Sequence, residues 1–222
     1  MDARIDYERR WKKFNIPVRY RGLRLVHSQL TPANRQALYT AKSVAESFPR
    51  RYAPTSTETS PNQVGRGLVI SGNPGTGKSR ISCALATDIH LATNYSVLYL
   101  PVTNFFALGR EQQKFINLAE KFRDEEALAR VKKLQELVDR VLKVPLLIFD
   151  DMGKEYSAAS GWVGTEIHRI LRTRFDRGLP TAITTNQPLE EWQKYDGAMY
   201  SFLQEAYDLV TIGGQDWRRA ER

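Results

Sequence analysis

Short, uninterrupted runs of apolar residues recur along this chain, separated by longer segments in which apolar and polar residues alternate with helical spacing. An unbroken apolar run of four or five residues is typical of a strand buried on both faces of a parallel sheet. Strands that alternate with amphipathic helices predict an α/β fold. The predicted strands are 68–70, 97–100, 146–149, 181–185 and 209–212.

Helical spacing marks the segments between these strands. A helix is predicted from residue 32 to 48, and most of 105–142 is predicted to be helical, which is long for a single crossover. The lone Cys83 lies on the apolar-rich helix after the first strand and fits a small buried residue better than a nucleophile. A further helix has an apolar face formed by Ile167, Ile170, Leu171 and Phe175.

Length and composition predict one compact α/β unit. The 222 residues are 41% hydrophobic, and no apolar run approaches the ~18 residues of a membrane span. Residues 1–15 are charged, unlike a signal peptide, so we expect a cytoplasmic protein. We expect a basic N-terminal extension and helix at 1–64, with an exposed Thr/Ser/Pro-rich loop at its end, and the core at 65–222.

The most specific motif is Gly-Asn-Pro-Gly-Thr-Gly-Lys-Ser at residues 72–79, which matches the phosphate-loop pattern G-x-x-x-x-G-K-[ST] between a strand and a helix. Glycines let the main chain curl around phosphates, and the N–H groups of the following helix face them. Lys78, expected to be an exposed loop lysine, would reach the β- and γ-phosphates, and the Ser79 hydroxyl would ligate Mg²⁺. The predicted nucleotide-binding residues are Gly72, Asn73, Pro74, Gly75, Thr76, Gly77, Lys78, Ser79 and Arg80.

Polar residues follow two other predicted strands. Asp150 and Asp151 come at the carboxyl end of the strand at 146–149, where ligands of open α/β sheets bind. Asp150 would hold Mg²⁺ and Asp151 would polarise an attacking water, although two acids after a strand also fit a turn or a helix cap. Asn186 ends the strand at 181–185 and is a candidate for orienting water or touching the γ-phosphate; before Pro188 it also fits a loop.

The order of GNPGTGKS, LLIFDDMGKE, PTAITTN and GGQDWRR resembles the AAA+ ATPases of the DnaC/DnaI type, the bacterial and phage replicative-helicase loaders, over residues 16–219. The resemblance implies a protein of the bacterial cytoplasm, encoded by the cell or by a phage. The resemblance implies a three-layer P-loop NTPase sandwich with a parallel sheet in the order 5-1-4-3-2. Only ten residues follow the last predicted strand, so we expect the helical lid to be absent.

The resemblance also assigns catalytic roles. It implies that Lys78, Asp150, Asp151 and Asn186 serve catalysis, with ATP and Mg²⁺ as cofactors. Arg218 falls where the family has a late arginine that faces the nucleotide; Arg219 is the alternative, and a solvated basic C-terminus explains both equally well.

Two departures from the family pattern matter. Where many relatives have an arginine that acts on the ATP of the next subunit, this chain has Phe202. Arg169, Arg172 and Arg174 are candidate substitutes, although a charged outer helix face is the favoured interpretation of all three. Asp151 stands in place of a longer glutamate, which predicts slow hydrolysis.

The net charge of +8 favours a polyanionic partner, and the resemblance implies single-stranded DNA. Aromatic and basic residues interleave between 103 and 123, a pattern that fits contact with a nucleic-acid strand, although some of its aromatics are spaced like core residues. The candidate DNA-binding residues are Arg110, Lys114, Lys121 and Arg123.

The hypothesis from sequence is an ATP-hydrolysing replication protein that self-associates through its ATP interfaces and loads or remodels the hexameric replicative helicase on single-stranded DNA. Three alternatives stay open: an IstB-type helper ATPase of transposition, a small-molecule P-loop kinase, and a nucleotide-gated DNA-binding module with little hydrolysis.

Overall fold

The computed structural model describes residues 3–52, 63–107, 125–153, 161–195, 197–214 and 216 of the protein, and the side chains from residue 8 onward except those of 161–164 and 193–195. Its centre is a five-stranded sheet in the order β2-β3-β4-β1-β5, with every neighbouring pair parallel. The predicted α/β class and AAA+ strand order are confirmed. The strands are β1 (Gly67–Gly72), β2 (Val97–Pro101), β3 (Leu146–Met152), β4 (Thr181–Thr185) and β5 (Tyr207–Ile212).

Helices cover the sheet. Short 3₁₀ turns occur at Val18–Tyr20 and Leu25–His27, and residues 102–107 include a helical turn after β2. The α-helices are α1 (Ala3–Lys13), α2 (Arg35–Arg51), α3 (Lys78–Thr93), α4 (Glu125–Lys143), α5 (Gly161–Asp176), α6 (Leu189–Tyr195) and α7 (Gly197–Ala206).

The predicted helix at 32–48 begins and ends three residues later than expected. Residues 31–34 form a turn in which the Thr31 N–H donates to Oδ1 of Asn34 and the Asn34 N–H donates to Oγ1 of Thr31. Because these side chains bond the backbone locally, they favour a turn over the first turn of a helix. Pro49 lies inside the last turn of α2, which continues to Arg51.

The alternation of side chains along β1 creates two cores, one on each face of the sheet. Leu68 and Ile70 pack with α2 and α3 on one face, while Val69 packs with α5 and α7 on the other. This layer–sheet–layer arrangement is the predicted sandwich. Cys83 is fully buried on α3, as the helical pattern predicted, and burial raises the pKa of its thiol.

The N-terminal segment shares the core of the sheet. Trp11 and Phe14 are buried and meet the ring of His90 edge-on, and the Tyr99 N–H donates to the carbonyl of Phe14 at 2.8 Å. Residues before and after position 64 therefore contribute to one hydrophobic core, while the domain boundary at that position stays a prediction. Helix α1 was not predicted from the sequence, because most of its residues are charged.

An ionic cluster ties α2 to β5. Arg51 and Arg66 each donate to a different carboxylate oxygen of Asp208, both at 2.8 Å, and Arg51 also donates to Oγ of Ser47. Although burial raises the pKa of Asp208, the hydrogen bonds and charges of the two arginines outweigh it and lower that pKa below its ordinary value. The Arg51 side chain is itself only 6% exposed, so its charge depends on this carboxylate.

The interpretation of three arginines on the outer face of α5 is wrong for Arg174. Arg174 is fully buried and donates to the carbonyls of Val141, Val144 and Pro180 and to the hydroxyl of Thr181. Burial lowers the pKa of this guanidinium. Its donors satisfy carbonyls at the C-terminal end of α4, which a helix cannot satisfy by itself. Arg174 is therefore a structural arginine and is not available to a neighbouring subunit.

The other two arginines of α5 are exposed as predicted. Arg169 pairs with Glu166 at 2.6 Å, and the Arg172 guanidinium lies 4.5 Å from the ring centre of Phe202. In the part of the chain that the structure describes, every helix is too short or too polar to cross a lipid bilayer.

Candidate nucleotide-binding site

The phosphate-loop motif forms the predicted strand–loop–helix unit. β1 ends at Gly72 and α3 begins at Lys78. Gly75 (φ 80°) and Gly77 (φ 94°) adopt left-handed backbone conformations that other residues rarely tolerate, and Gly77 caps the N-terminus of α3. The Thr76 hydroxyl donates to the carbonyl of Asn73 at 2.9 Å and closes the loop on itself. The result is a curled backbone at the positive end of a helix dipole.

Lys78 is not the exposed lysine that its loop position suggested. It is 7% exposed, and its ammonium donates hydrogen bonds of 2.7 Å to the carbonyls of Gly72 and Asn73. These charge-assisted bonds join the end of the loop to two carbonyls at its start and hold the loop in shape. Arg80 is exposed on the first turn of α3.

Ser79 and Asp150 form a donor set that suits Mg²⁺. The Ser79 hydroxyl makes no hydrogen bond to the described residues, and Asp150 forms no ion pair with any lysine or arginine among them. A hydroxyl and a carboxylate leave most of the coordination sphere to water and phosphate oxygens, as Mg²⁺ prefers. The residues present therefore fit the ion.

Asp150 is buried and held at both carboxylate oxygens. The Tyr99 hydroxyl donates to Oδ2 at 2.5 Å, and the Thr184 hydroxyl donates to Oδ1 at 2.7 Å. Burial, together with the charge and the hydrogen bond of Asp150, raises the pKa of Tyr99 far above its ordinary value. Because Tyr99 stays protonated, it remains a donor, and the two neutral hydroxyls orient the carboxylate without cancelling its charge.

A β-bulge positions the second acid. Pairing of β3 with β4 runs through Phe149 opposite Ile183 and resumes at Met152 opposite Thr185, so the two acids between them share one partner residue on β4. Asp151 has a φ of 60°, which aspartate tolerates better than most residues. A bulge of this kind re-aims a side chain at the end of a strand.

Thr184 is the shared partner, and it organises the bulge. Its hydroxyl donates to Asp150 and also accepts a 2.9 Å hydrogen bond from the Asp151 N–H. The Asn186 amide in turn donates to Oδ1 of Asp151. The structure thus brings the two acids and Asn186 together in one hydrogen-bonded network. Neither a plain turn nor a helix cap describes the acidic pair.

The strand order decides where this network lies relative to the phosphate loop. β4 lies between β1 and β3, and all three strands are parallel. The loop after β1 and the acids at the end of β3 are therefore on the same edge of the sheet, two strand spacings or about 10 Å apart. The N–H groups at the start of α3 and the two carboxylates therefore lie at one edge of the sheet, an arrangement that suits an anionic ligand with a divalent cation.

Comparison with known proteins agrees with this geometry. The family model "IstB-like ATP binding protein" matches residues 57–219. The chain belongs to the IstB-like ATP binding protein family. The predicted identity as a P-loop, ATP-binding family member is thereby confirmed.

Individual relatives of this IstB-like chain are replication proteins. The replicative helicase loader DnaC of Escherichia coli K12 is 22% identical over 215 residues, which are 97% of this chain and 76% of the relative. A crystal structure of the DnaC helicase loader matches 88% of this chain and 99% of its own with a TM-score of 0.62 at 21% identity. The initiator DnaA, solved with AMPPCP and single-stranded DNA, matches 90% and 51% with a TM-score of 0.62 at 16% identity. The resemblance to DnaC-type AAA+ proteins is confirmed.

Several predicted residues of this IstB-like protein lie outside the part that the structure describes. Their roles in facing nucleotide or DNA stay predictions. They are Arg110, Lys114, Lys121, Arg123, Arg218 and Arg219.

Sequence reasoning missed three residues of the site. Thr184 is one of three buried threonines in β4, and polar residues in a buried strand are a signal that was available. Tyr99 lies in the middle of the edge strand β2 and belongs to no motif. Gln187 follows Asn186, and its side-chain oxygen is buried without a hydrogen bond to any described residue, which makes it an acceptor at the same strand end.

Proposed function

We propose that this protein binds ATP with Mg²⁺ at the phosphate loop and hydrolyses it slowly, and that it uses this cycle to load or remodel a replicative helicase. The observation that supports the chemistry best is the bulge at Thr184, which gathers Asp150, Asp151 and Asn186 at the same sheet edge as the loop. Membership in an ATP-binding family supports the choice of nucleotide.

The loop residues would bind the phosphates. Backbone N–H groups at the start of α3 and the Lys78 ammonium supply positive potential, and Ser79 and Asp150 would hold Mg²⁺. The ion, when bound, would offset negative charge on the phosphates. Tyr99 and Thr184 keep the Asp150 carboxylate in one orientation before the ion arrives. That preorganisation removes a reorientation step from binding.

Asp151 would act on the attacking water. The Asn186 amide fixes one oxygen of this carboxylate, and the carboxylate would accept a proton from the water. Because aspartate is one methylene shorter than glutamate, its reach is smaller, and turnover is expected to be slow until assembly or DNA completes the site.

The cellular role rests on the relatives. DnaC is a replicative helicase loader, and DnaA was solved with AMPPCP and single-stranded DNA. On that basis we propose that this chain binds a replicative helicase and single-stranded DNA and that it is located in the cytoplasm. The net charge of +8 suits a polyanionic partner. Self-association through the ATP sites is part of the same proposal, with the exposed Arg169 and Arg172 as remaining candidates for a trans-acting arginine.

A helper ATPase of transposition is the second candidate function. It is favoured by the family model, whose description is IstB-like and whose match begins within the N-terminal extension. Both candidates use the same nucleotide chemistry and differ only in the protein that they serve. A nucleotide-gated binding module with little hydrolysis is the third, and the short Asp151 side chain keeps it open.

One pull-down separates these functions. Asp151→Asn is expected to trap ATP, and Lys78→Ala is the control that lacks nucleotide affinity. Retention of a hexameric helicase by the trapped variant alone supports loading, whereas retention of a transposase supports the helper function.

A single-turnover assay with wild-type protein, Mg²⁺ and single-stranded DNA tests hydrolysis directly. If wild-type protein takes up no ATP in magnesium buffer, the proposal is wrong.

A further inference from the structure

The C-terminal end of the described chain returns to the phosphate loop. A Cβ atom built on Gly75 would lie 1.7 Å from Oδ1 and 2.1 Å from Cγ of Asp216. Since a carbon–carbon bond is about 1.5 Å long, the Asp216 oxygen lies within roughly 3.2 Å of the Gly75 Cα. A carboxylate is therefore in contact with the backbone of the loop that we assign to the phosphates.

Backbone contacts hold this segment in place. We call Gly213, Gly214 and Asp216 the C-terminal strap. The Gly213 N–H donates to the carbonyl of Ala33 at 3.3 Å, and Gly214, with a φ of 96°, turns the chain against the Ala33 side chain. The strap continues directly from β5, which pairs with β1 along its full length. The chain shortly before Asp216 is therefore held by two fixed elements, the sheet and the turn before α2.

The charge of Asp216 has the wrong sign for a phosphate site. A loop that binds phosphate through N–H groups brings the phosphate within a few ångströms of its own backbone. The phosphates and the Asp216 carboxylate would then lie on or beside the same short stretch of main chain. Two anions at that distance repel each other, and they do so more strongly where the surroundings are partly buried.

We propose that Asp216 is a built-in electrostatic competitor of the nucleotide, and that binding of the triphosphate displaces the C-terminal strap from the phosphate loop. This inference rests on the proposed function of the loop and adds a regulatory element to it. Because the strap contacts Ala33, its displacement also loosens the turn that precedes α2. Nucleotide binding at the phosphate loop thereby changes the contacts of the N-terminal part of the chain.

The test measures the affinity of the full-length protein for Mg–ATP by calorimetry, for wild type and for Asp216→Asn. The neutral isostere is expected to bind about tenfold more tightly, with a smaller advantage at high salt. Glu205→Gln removes one carboxylate from an exposed position just before β5 and is the matched control, expected to equal wild type.

The outcomes separate the two proposals. If wild type and Asp216→Asn both fail to bind ATP, the proposed function of the loop is wrong. If wild type binds and Asp216→Asn binds equally or more weakly, the function stands and the competitor role of Asp216 is refuted.

Hydrogen exchange gives an independent readout of strap displacement. With saturating Mg–ATP, the Gly213 amide of the wild-type protein should exchange faster, because its bond to Ala33 is broken. Amides in the centre of β1 serve as the internal reference and should not change. Equal exchange at Gly213 with and without nucleotide would refute displacement of the strap.

Discussion

The hydroxyl of Tyr99 donates a 2.5 Å hydrogen bond to Oδ2 of Asp150, joining the edge strand β2 to the acidic end of β3. The two residues are 51 positions apart in the chain, and the bond is buried. It gives the carboxylate one orientation and keeps a neutral donor beside it. The same carboxylate is the one that we assign to Mg²⁺, so this contact affects how well the ion binds.

Tyr99→Phe is expected to raise the Mg²⁺ concentration needed for half-maximal ATP turnover by roughly three- to tenfold, because loss of a typical intramolecular hydrogen bond is equivalent to about 1 kcal/mol. The ring stays, so the fold should not change. Magnesium titrations of ATPase activity measure the effect. Tyr95→Phe removes a phenol outside the site and should behave like wild type; an unchanged magnesium requirement in Tyr99→Phe would refute the positioning role.

Thr184→Val tests the bulge. Valine keeps the shape of threonine but removes both the donor to Asp150 and the acceptor for the Asp151 N–H. We expect a loss of about 1–3 kcal/mol in the free energy of unfolding, since a buried N–H is left unsatisfied, together with a fall in ATP turnover of at least about tenfold.

Thr87→Val is the matched control for that variant. It also removes a buried hydroxyl, but one that donates to the Cys83 carbonyl within α3. Denaturant unfolding measures the stability of both variants. Turnover assays should show a loss of ATP turnover only in Thr184→Val. Equal turnover in the two valine variants would contradict a role of Thr184 in the site.

Lys78→Ala should abolish most ATP affinity and also reduce stability modestly, by about 1–2 kcal/mol, because two charge-assisted bonds to loop carbonyls are lost. The protein should still unfold cooperatively, since the loop lies at the edge of the core. Calorimetry with Mg–ATP and denaturant unfolding check the two effects. Lys132→Ala, on the exposed side of α4, should change neither quantity.

The lowered pKa of Asp208 predicts how the free energy of unfolding depends on pH. This pKa is lower in the folded protein than in the unfolded chain. The contribution of Asp208 to the free energy of unfolding is therefore fully present above the unfolded-state pKa of about 3.9, and it is lost as the pH falls through the folded-state pKa. Asp208→Asn should therefore destabilise the protein at neutral pH, by about 2–4 kcal/mol because Arg51 loses its carboxylate. Unfolding curves from neutral to strongly acid pH should converge for the two proteins; Asp139→Asn, on an exposed pair, should match wild type throughout.

Local patterns in the sequence determined the α/β class, the approximate bounds of the strands, the phosphate loop and the positions of Asp150, Asp151 and Asn186. These features depend on hydrophobic periodicity and on short motifs. Both can be recognised from neighbouring residues, without knowing how the chain packs. The order of the strands came from the family resemblance, since the apolar runs alone do not say which strands are neighbours.

Only the tertiary structure decided what surrounds those residues. Helical spacing assigned Arg174 to a charged outer face of α5. In the structure the end of α4 packs over this position, and the buried guanidinium donates to carbonyls there. Likewise the bulge at Thr184 and the approach of Asp216 to Gly75 arise between segments far apart in the chain. Such contacts depend on how strands and helices pack in three dimensions, and no local pattern of hydrophobic and polar residues contains that information.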